Sequence, residues 1–134
     1  MTAFRVGSAS HVGQVRSNNQ DSWLVFDEQA VYAVADGMGG HQGGEVASAI
    51  AVETLEAIIS DATSESVVEA VKEANRRIIS RATDTTELRG MGTTLVALSD
   101  SGELVLIEAK PDKYKELARA DVLDGKCWST PVLS

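Results

Sequence analysis

Apolar residues follow two different spacings along this chain, and the change from one spacing to the other predicts the order of its elements. Residues 23–26 and 31–34 are nearly continuous apolar runs, and the polar residues 27–30 separate them. Such runs are typical of strands covered on both faces, so the pair is predicted to form a hairpin. A weaker alternation over residues 4–8 predicts one more strand before the hairpin.

Two amphipathic helices are predicted after the hairpin. Residues 44–60 and 66–84 place apolar side chains three and four positions apart, as one face of a helix requires. Ser66 and Glu69 form a capping-box pattern, in which the two side chains satisfy backbone N–H groups at a helix start. The second helix is therefore predicted to begin at this point.

The last part of the chain is predicted to return to strands. Residues 93–109 have the pattern of a second hairpin that turns at residues 99–102. Beyond it, a short helix from Asp112 to Arg119 and an edge strand near Val132 are the predicted elements. The order of strands, helices and strands predicts an α+β fold, in which helices pack on a mainly antiparallel sheet.

The composition narrows the classes of function. The chain has 134 residues and a formal net charge of −8, which fit one acidic globular domain. Nucleic acids and anionic membranes attract basic surfaces, so neither is an expected partner. No apolar run has the length of a membrane span, the first residues lack the layout of a signal peptide, and Cys127 has no second cysteine to pair with. A cytoplasmic protein is predicted.

The segment "VYAVADGMGGHQGGEVAS", residues 31–48, places one carboxylate, Asp36, among five glycines. Glycine lets the backbone approach a ligand closely, at an entropic cost. The Asp36 carboxylate and the Gly37 carbonyl are hard oxygen donors of the kind that Mg²⁺ and Mn²⁺ prefer. The alternative is a glycine-rich turn before a helix, in which the aspartate binds no ligand.

A second polar loop, "GQVRSNNQDS" at residues 13–22, carries Arg16 and Asp21. A guanidinium beside a cation site favours a phosphate ligand, because its two N–H groups match two phosphate oxygens. Alone, this loop would be a polar surface segment, but the predicted hairpin brings both loops to one edge of the sheet. His11 and His41 have no second histidine nearby, and a structural role is favoured for both.

Together with "RGMGTTLVAL" at residues 89–98, these two segments resemble the metal-dependent PP2C (PPM) family of serine/threonine protein phosphatases, especially its bacterial members. The similarity covers about residues 3–99. It implies a β-sandwich flanked by helices, two Mg²⁺ or Mn²⁺ ions, and hydrolysis of phosphoserine and phosphothreonine in protein substrates.

The resemblance also implies roles for individual residues. The aspartate that matches Asp36 bridges both metal ions, and the carbonyl that matches Gly37 binds one of them. The arginine that matches Arg16 binds the substrate phosphate. The acid that matches Asp21 supports the site through water molecules.

The chain departs from the family pattern at several positions. Gln20 stands where many members have a glutamate, and Met38 stands where some have a histidine. A Gly-Asp-Ser-Arg motif and later aspartates would be expected next, but Asp112, Asp121 and Asp124 lie in no matching motif. Metal binding is therefore expected to be weak or incomplete, and catalysis impaired. A truncated or chimeric scaffold without enzymatic activity is the alternative.

The segment from about residue 102 to residue 134 resembles a blade of a PQQ-type β-propeller instead. The predicted organisation is a phosphatase-like portion, residues 1–101, and a propeller-like tail, residues 102–134, that packs as extra strands on the same domain. The sandwich would then be incomplete. Its exposed sheet edge would provide a surface for a homodimer.

Overall fold

The structure is a computed structural model that describes residues 7–15, 17–40, 42–99, 103–110 and 113–121. Its elements are β1 (Asp21–Phe26), β2 (Val31–Met38), α1 (Gly43–Ile58), α2 (Ser64–Asp84), β3 (Gly92–Ser99), β4 (Glu103–Lys110) and β5 (Lys113–Asp121), with 3₁₀ turns at Asp27–Gln29 and Thr86–Leu88. Two helices thus follow the first hairpin, and the remaining strands follow the helices. The predicted α+β class is confirmed.

The five strands form one sheet in the order β1-β2-β3-β4-β5, and each neighbouring pair is antiparallel. The two predicted hairpins are present, because β1 pairs with β2 around the turn at 27–30 and β3 pairs with β4. The connection from β2 to β3 contains both helices. This connection places the second apolar strand pair directly beside the first.

The core lies between one face of the sheet and the helices. On this inner face the strands carry small residues such as Ala33, Ala35 and Ala97, all at most 3% exposed. Small side chains allow the helices to approach the sheet closely. Leu55 of α1 and Ile78 of α2 fill the layer between them, and both are fully buried.

The opposite, outer face of β1 and β2 is more open. Trp23, Val25 and Val34 lie on it and are 45%, 37% and 58% exposed. Trp23 stands directly opposite Val34 in the β1–β2 register. The alternation of side chains along a strand therefore separates a packed face from an exposed one.

The strand predicted at residues 4–8 lies mostly outside the described residues, and its last two positions, 7–8, are not in a strand. The predicted start of the second helix is wrong. Helix α2 begins before Ser66, and its N-cap is Thr63, whose side chain accepts a hydrogen bond from the Ser66 N–H at 3.2 Å. Thr63 provides a better cap because Asp61 holds it in place by accepting hydrogen bonds from its N–H and its hydroxyl.

The prediction of a helix from Asp112 to Arg119 is also wrong, because Lys113–Asp121 forms strand β5. This segment is rich in helix-forming residues, but the open edge of β4 offers a row of backbone hydrogen-bonding groups. Pairing with that edge overrides local propensity, as is common for strands. The strand predicted near Val132 lies outside the described residues. No helix in the described ranges combines the length and apolar content needed to cross a membrane.

Candidate functional site

Asp21 and Asp36 stand directly opposite each other at the point where β1 begins and β2 nears its end. Directly opposite residues of an antiparallel pair point to the same side of the sheet, with Cβ atoms about 4.5–5.5 Å apart. Both residues are exposed, and they lie on the outer face in line with Trp23 and Val34. The hairpin thus places two carboxylates side by side.

The backbone around Asp36 is held from strand β3 and from the residue that precedes β1. The Thr93 hydroxyl of β3 donates to the Asp36 carbonyl oxygen at 2.9 Å, and the Thr94 hydroxyl lies 3.4 Å from the same oxygen. On the other side, the Gly37 N–H donates to the Gln20 carbonyl at 3.0 Å. These bonds fix the peptide that joins Asp36 to Gly37.

Two of the glycines are required by close packing of backbone against backbone. A Cβ at Gly37 would overlap the Gly44 carbonyl oxygen, and a Cβ at Gly44 would lie 2.8 Å from the Gly37 carbonyl carbon. Gly44 is in the first turn of α1. The missing side chains therefore allow the N-terminal end of α1 to lie directly against the strand that carries Asp36.

The Asp21 carboxylate belongs to a small hydrogen-bonded ring in the preceding loop. The Asp21 N–H donates to Asn19 Oδ1 at 3.0 Å, Asn19 Nδ2 donates to Ser10 Oγ at 2.6 Å, and Ser10 Oγ donates to Asp21 Oδ2 at 3.3 Å. This ring restrains the start of β1. It therefore orients the second of the two carboxylates.

A shallow groove of about 490 Å³ opens beside Gln20 and Gly37, the chain neighbours of the two aspartates. Its walls are formed by the loop before β1 and by the end of β2: Val15, Ser17, Asn18, Gln20, Gly37, Met38 and Gly39. The Gln20 side chain crosses the groove, with Nε2 3.4 Å from the Gly39 carbonyl. A groove of this volume, lined by residues adjacent in the chain to two carboxylates, has space for a small ligand.

The other predicted site residues are placed differently. Arg16 and His41 lie outside the described residues. His11 Nδ1 accepts a hydrogen bond from the Gly13 N–H at 2.9 Å, which is a local turn contact. Met38, at the position where some phosphatases have a histidine, is a wall of the groove.

Comparison with known proteins identifies the family. A family profile described as "Protein phosphatase 2C" matches residues 9–108, which is most of the chain. The chain belongs to the protein phosphatase 2C family. The match includes all three motifs and reaches residue 108.

Curated relatives of this chain are bacterial phosphatases. It is 36% identical over 122 residues to the serine/threonine phosphatase stp of Listeria innocua, covering 83% of this chain and 48% of that protein. It is 37% identical over 103 residues to the serine/threonine protein phosphatase PstP of Mycobacterium tuberculosis, covering 74% of this chain and 20% of that protein.

Solved structures show the same fold. The PPM Ser-Thr phosphatase MsPP from Mycobacterium smegmatis, in complex with cacodylate, matches with a TM-score of 0.65 at 36% identity, over 74% of this chain and 43% of that one. The catalytic domain of PstP in complex with two manganese ions matches with a TM-score of 0.64 at 31% identity, over 82% of this chain and 53% of that one. The chain spans about half the length of the stp relatives.

The residues present fit one hard divalent cation. Asp36 and Asp21 supply adjacent carboxylates, and Mg²⁺ is commonly held in proteins by one or two carboxylates with water in the remaining positions. Within the ranges that the structure describes, no group of three or more His, Cys, Asp or Glu side chains is arranged to hold a metal ion. Among the described residues, the donor set beside this groove is therefore these two adjacent carboxylates.

Sequence reasoning assigned no role to several residues that hold the site together. Thr93 and Thr94 lie within the motif at residues 89–98, Asn19 lies in the loop at residues 13–22 and Ser10 lies shortly before that loop, but no periodic pattern marks them. The sequence could have pointed to these residues only through their position, because each lies within or close to a motif. Their contacts with Asp36 and Asp21 depend on strand register, which only the structure provides.

Proposed function

We propose that this chain is part of a divalent-metal-dependent protein phosphatase that hydrolyses phosphoserine and phosphothreonine in proteins. The observation that carries the proposal is the pair Asp21 and Asp36, directly opposite each other beside a groove. Membership of the protein phosphatase 2C family supports the reaction class. The names of the relatives support phosphoprotein substrates.

In this proposal Asp36 and the Gly37 carbonyl hold Mn²⁺ or Mg²⁺, and Asp21 supports the site beside them. When bound, such an ion polarises phosphoryl oxygens and lowers the pKa of water. Arg16 binds the substrate phosphate, a role that rests on its place in the first motif. Two ions, as in the manganese complex of PstP, would require acids besides these.

The test is hydrolysis of p-nitrophenyl phosphate and of a phosphothreonine peptide by this chain, with Mn²⁺, with Mg²⁺ and without either. We expect turnover that needs the metal, because Asp36 can act only through it. Asp36→Asn, which keeps the shape of the side chain, should reduce turnover to the level without metal. Glu28→Gln is the control, because Glu28 is an exposed acid in the turn at the opposite end of the hairpin.

A non-catalytic scaffold is the second candidate, and one observation favours it. The described residues include no group of three metal-binding side chains, so the metal would bind weakly and catalysis would be impaired. This candidate predicts that Mn²⁺ leaves the Tm unchanged and that wild type and Asp36→Asn show the same background turnover. A rise in Tm with Mn²⁺ that Asp36→Asn removes would exclude it.

We also propose that the segment after residue 102 serves as strands of the phosphatase sheet, whatever its resemblance to a propeller blade. The pairing of β4 and β5 in continuation of β3 supports this role. Hydrogen exchange should show slow amides in Lys113–Asp121. Unprotected amides throughout that strand would contradict the proposal.

A homodimer is a further part of the proposal. Among the described strands β1 lies at one edge of the sheet, and an unpaired strand edge is a template for a second chain. Sedimentation velocity should show a concentration-dependent dimer, and a strictly monomeric chain would contradict this part. A cytoplasmic location, the last part, would be tested by fractionating cells that express the chain.

A further inference from the structure

The hydroxyl of Thr93 lies beneath the peptide that joins Asp36 to Gly37. Thr93 is fully buried and stands opposite Gly37 in the β2–β3 register. Its Oγ1 is 2.9 Å from the Asp36 carbonyl oxygen and 2.8 Å from the carbonyl oxygen of Thr94. Because a hydroxyl carries one proton, it donates to one of these oxygens at a time. When it donates to the Asp36 oxygen, the Thr93 side chain links β3 to the backbone of β2.

This peptide is held on its other side as well. Its N–H, from Gly37, donates to the Gln20 carbonyl at 3.0 Å. Since the C=O and N–H of one peptide lie in one plane, the contacts with Thr93 and Gln20 fix the orientation of that plane. The Asp36 side chain leaves the backbone just before the plane, and the Gly37 carbonyl follows just after it. Both oxygen donors of the proposed site are thus restrained together.

We propose that Thr93 is a positioning residue for the cation site, acting through the Asp36–Gly37 peptide and not by contact with the metal. The inference rests on the proposed function, because it concerns the same site. Valine has nearly the shape of threonine, but a methyl group needs roughly 3.5 Å from a neighbouring heavy atom. At 2.9 Å from the Asp36 oxygen, that methyl would displace the peptide. Serine would keep the hydroxyl and the contact.

The experiment compares wild type, Thr93→Ser, Thr93→Val and Thr93→Ala in the full chain, with Mn²⁺ alone as the probe. Calorimetry gives the Kd for Mn²⁺, and thermal unfolding gives the rise in Tm that Mn²⁺ causes in each variant. Thr54→Val is the matched control, since Thr54 is 1% exposed and lies on α1. We expect Thr93→Val and Thr93→Ala to weaken Mn²⁺ binding about tenfold, the lower range for groups that orient metal ligands. Thr93→Ser and Thr54→Val should bind as wild type does.

The outcomes separate positioning from a purely structural role. A structural role would lower the metal-free Tm of Thr93→Val and leave its Kd for Mn²⁺ unchanged, and that result overturns the inference. Equal weakening in Thr93→Ser and Thr93→Ala would also overturn it, because the hydroxyl would then not be the cause. If Thr93→Val does not fold, the Kd values of Thr93→Ala and Thr93→Ser for Mn²⁺ decide between the two roles. A wild type that binds no Mn²⁺ overturns the proposed function together with this inference, whereas equal binding by all variants overturns the inference alone.

Discussion

The two faces of the sheet differ in what they demand of the sequence. Apart from Thr93, the inner face carries small or apolar residues, and at Gly37 it admits no side chain at all, because α1 lies against the backbone. The outer face of the same strands tolerates two aspartates, a tryptophan and valines, all with substantial exposure. One strand therefore serves stability with every second residue and the candidate site with the residues between.

This difference predicts how mutational effects are distributed. Changes on the inner face should alter the free energy of unfolding strongly and, apart from changes at Thr93, affect the site only through misfolding. Changes on the outer face should alter metal binding or turnover and leave stability nearly unchanged. The following predictions test this division, from the largest expected effect to the smallest.

Gly37→Ala should be the most damaging change on the inner face. Its Cβ would overlap the Gly44 carbonyl oxygen, which belongs to rigid backbone, so the free energy of unfolding should fall by more than about 4 kcal/mol or the chain should fail to fold. Gly40→Ala is the control, because nothing lies within 4 Å of a Cβ there. Urea unfolding followed by circular dichroism measures both. A Gly37→Ala protein as stable as Gly40→Ala would contradict the packing described here.

Leu55→Ala tests the packed side of the sheet from a helix residue that lies against it. Leu55 is fully buried between α1 and the rest of the core, and such truncations cost about 2–5 kcal/mol through lost burial and the cavity left behind. Val34→Ala, on the outer face and 58% exposed, should cost within about 0.5 kcal/mol. Equal losses in the two variants would show that the outer face is covered in solution.

Asp21→Asn should stabilise the metal-free chain. Like charges directly opposite on neighbouring strands are destabilising, within the range of about 0.2–1 kcal/mol for such pairs, and Asp21 faces Asp36. The gain in free energy of unfolding should decrease in high salt, which screens exposed charges. Chemical denaturation at two salt concentrations measures it. A loss of stability would mean that the hydrogen bond from Ser10 outweighs the repulsion.

Removing the charge of Glu73 on α2 should have the smallest effect on stability. Glu73 lies beside positive charges, whereas Asp21 faces another negative charge. Its carboxylate pairs with Arg76 at 2.6 Å and with Arg77 at 3.1 Å, and hydrogen bonds from Arg76 and then Arg77 hold its pKa below the ordinary value of 4.5. A lowered folded pKa means that the contribution to stability is present at neutral pH and is lost as the pH falls below 4.5. Glu73→Gln should therefore be slightly less stable than wild type at pH 7, and the difference should disappear in acid. If the difference in stability persists at low pH, its cause is packing and not the charge of Glu73.

The sequence predicted the parts of the fold that depend on periodicity. The continuous apolar runs predicted the first hairpin, and the stripe that includes Ile78 predicted α2. It failed where tertiary contacts compete with local preference. Lys113–Asp121 pairs with β4 in spite of helix-forming residues, and Thr63 caps α2 because Asp61 orients it.

The candidate site shows the same limit. The motifs predicted that Asp36 and Asp21 would meet, because a hairpin returns the chain to its starting edge, and the register places them opposite each other. The proposed roles of Arg16, Asp21, Asp36 and Gly37 remain predictions. The contribution of Thr93 depends on which backbone oxygen its hydroxyl meets across the sheet. Neither composition nor spacing encodes that contact in a recognisable form.

The direct pairing of Asp21 with Asp36 also limits how the length of this hairpin can change. Insertion or deletion of one residue within β1 would carry Asp21 to the side covered by α1, since successive side chains alternate between faces. Changes of two residues would preserve the side but move the carboxylate along the strand. The hairpin can therefore change length without disturbing the site only in the turn at residues 27–30, because these residues are not paired with another strand. Functional relatives with insertions in this hairpin should carry them there.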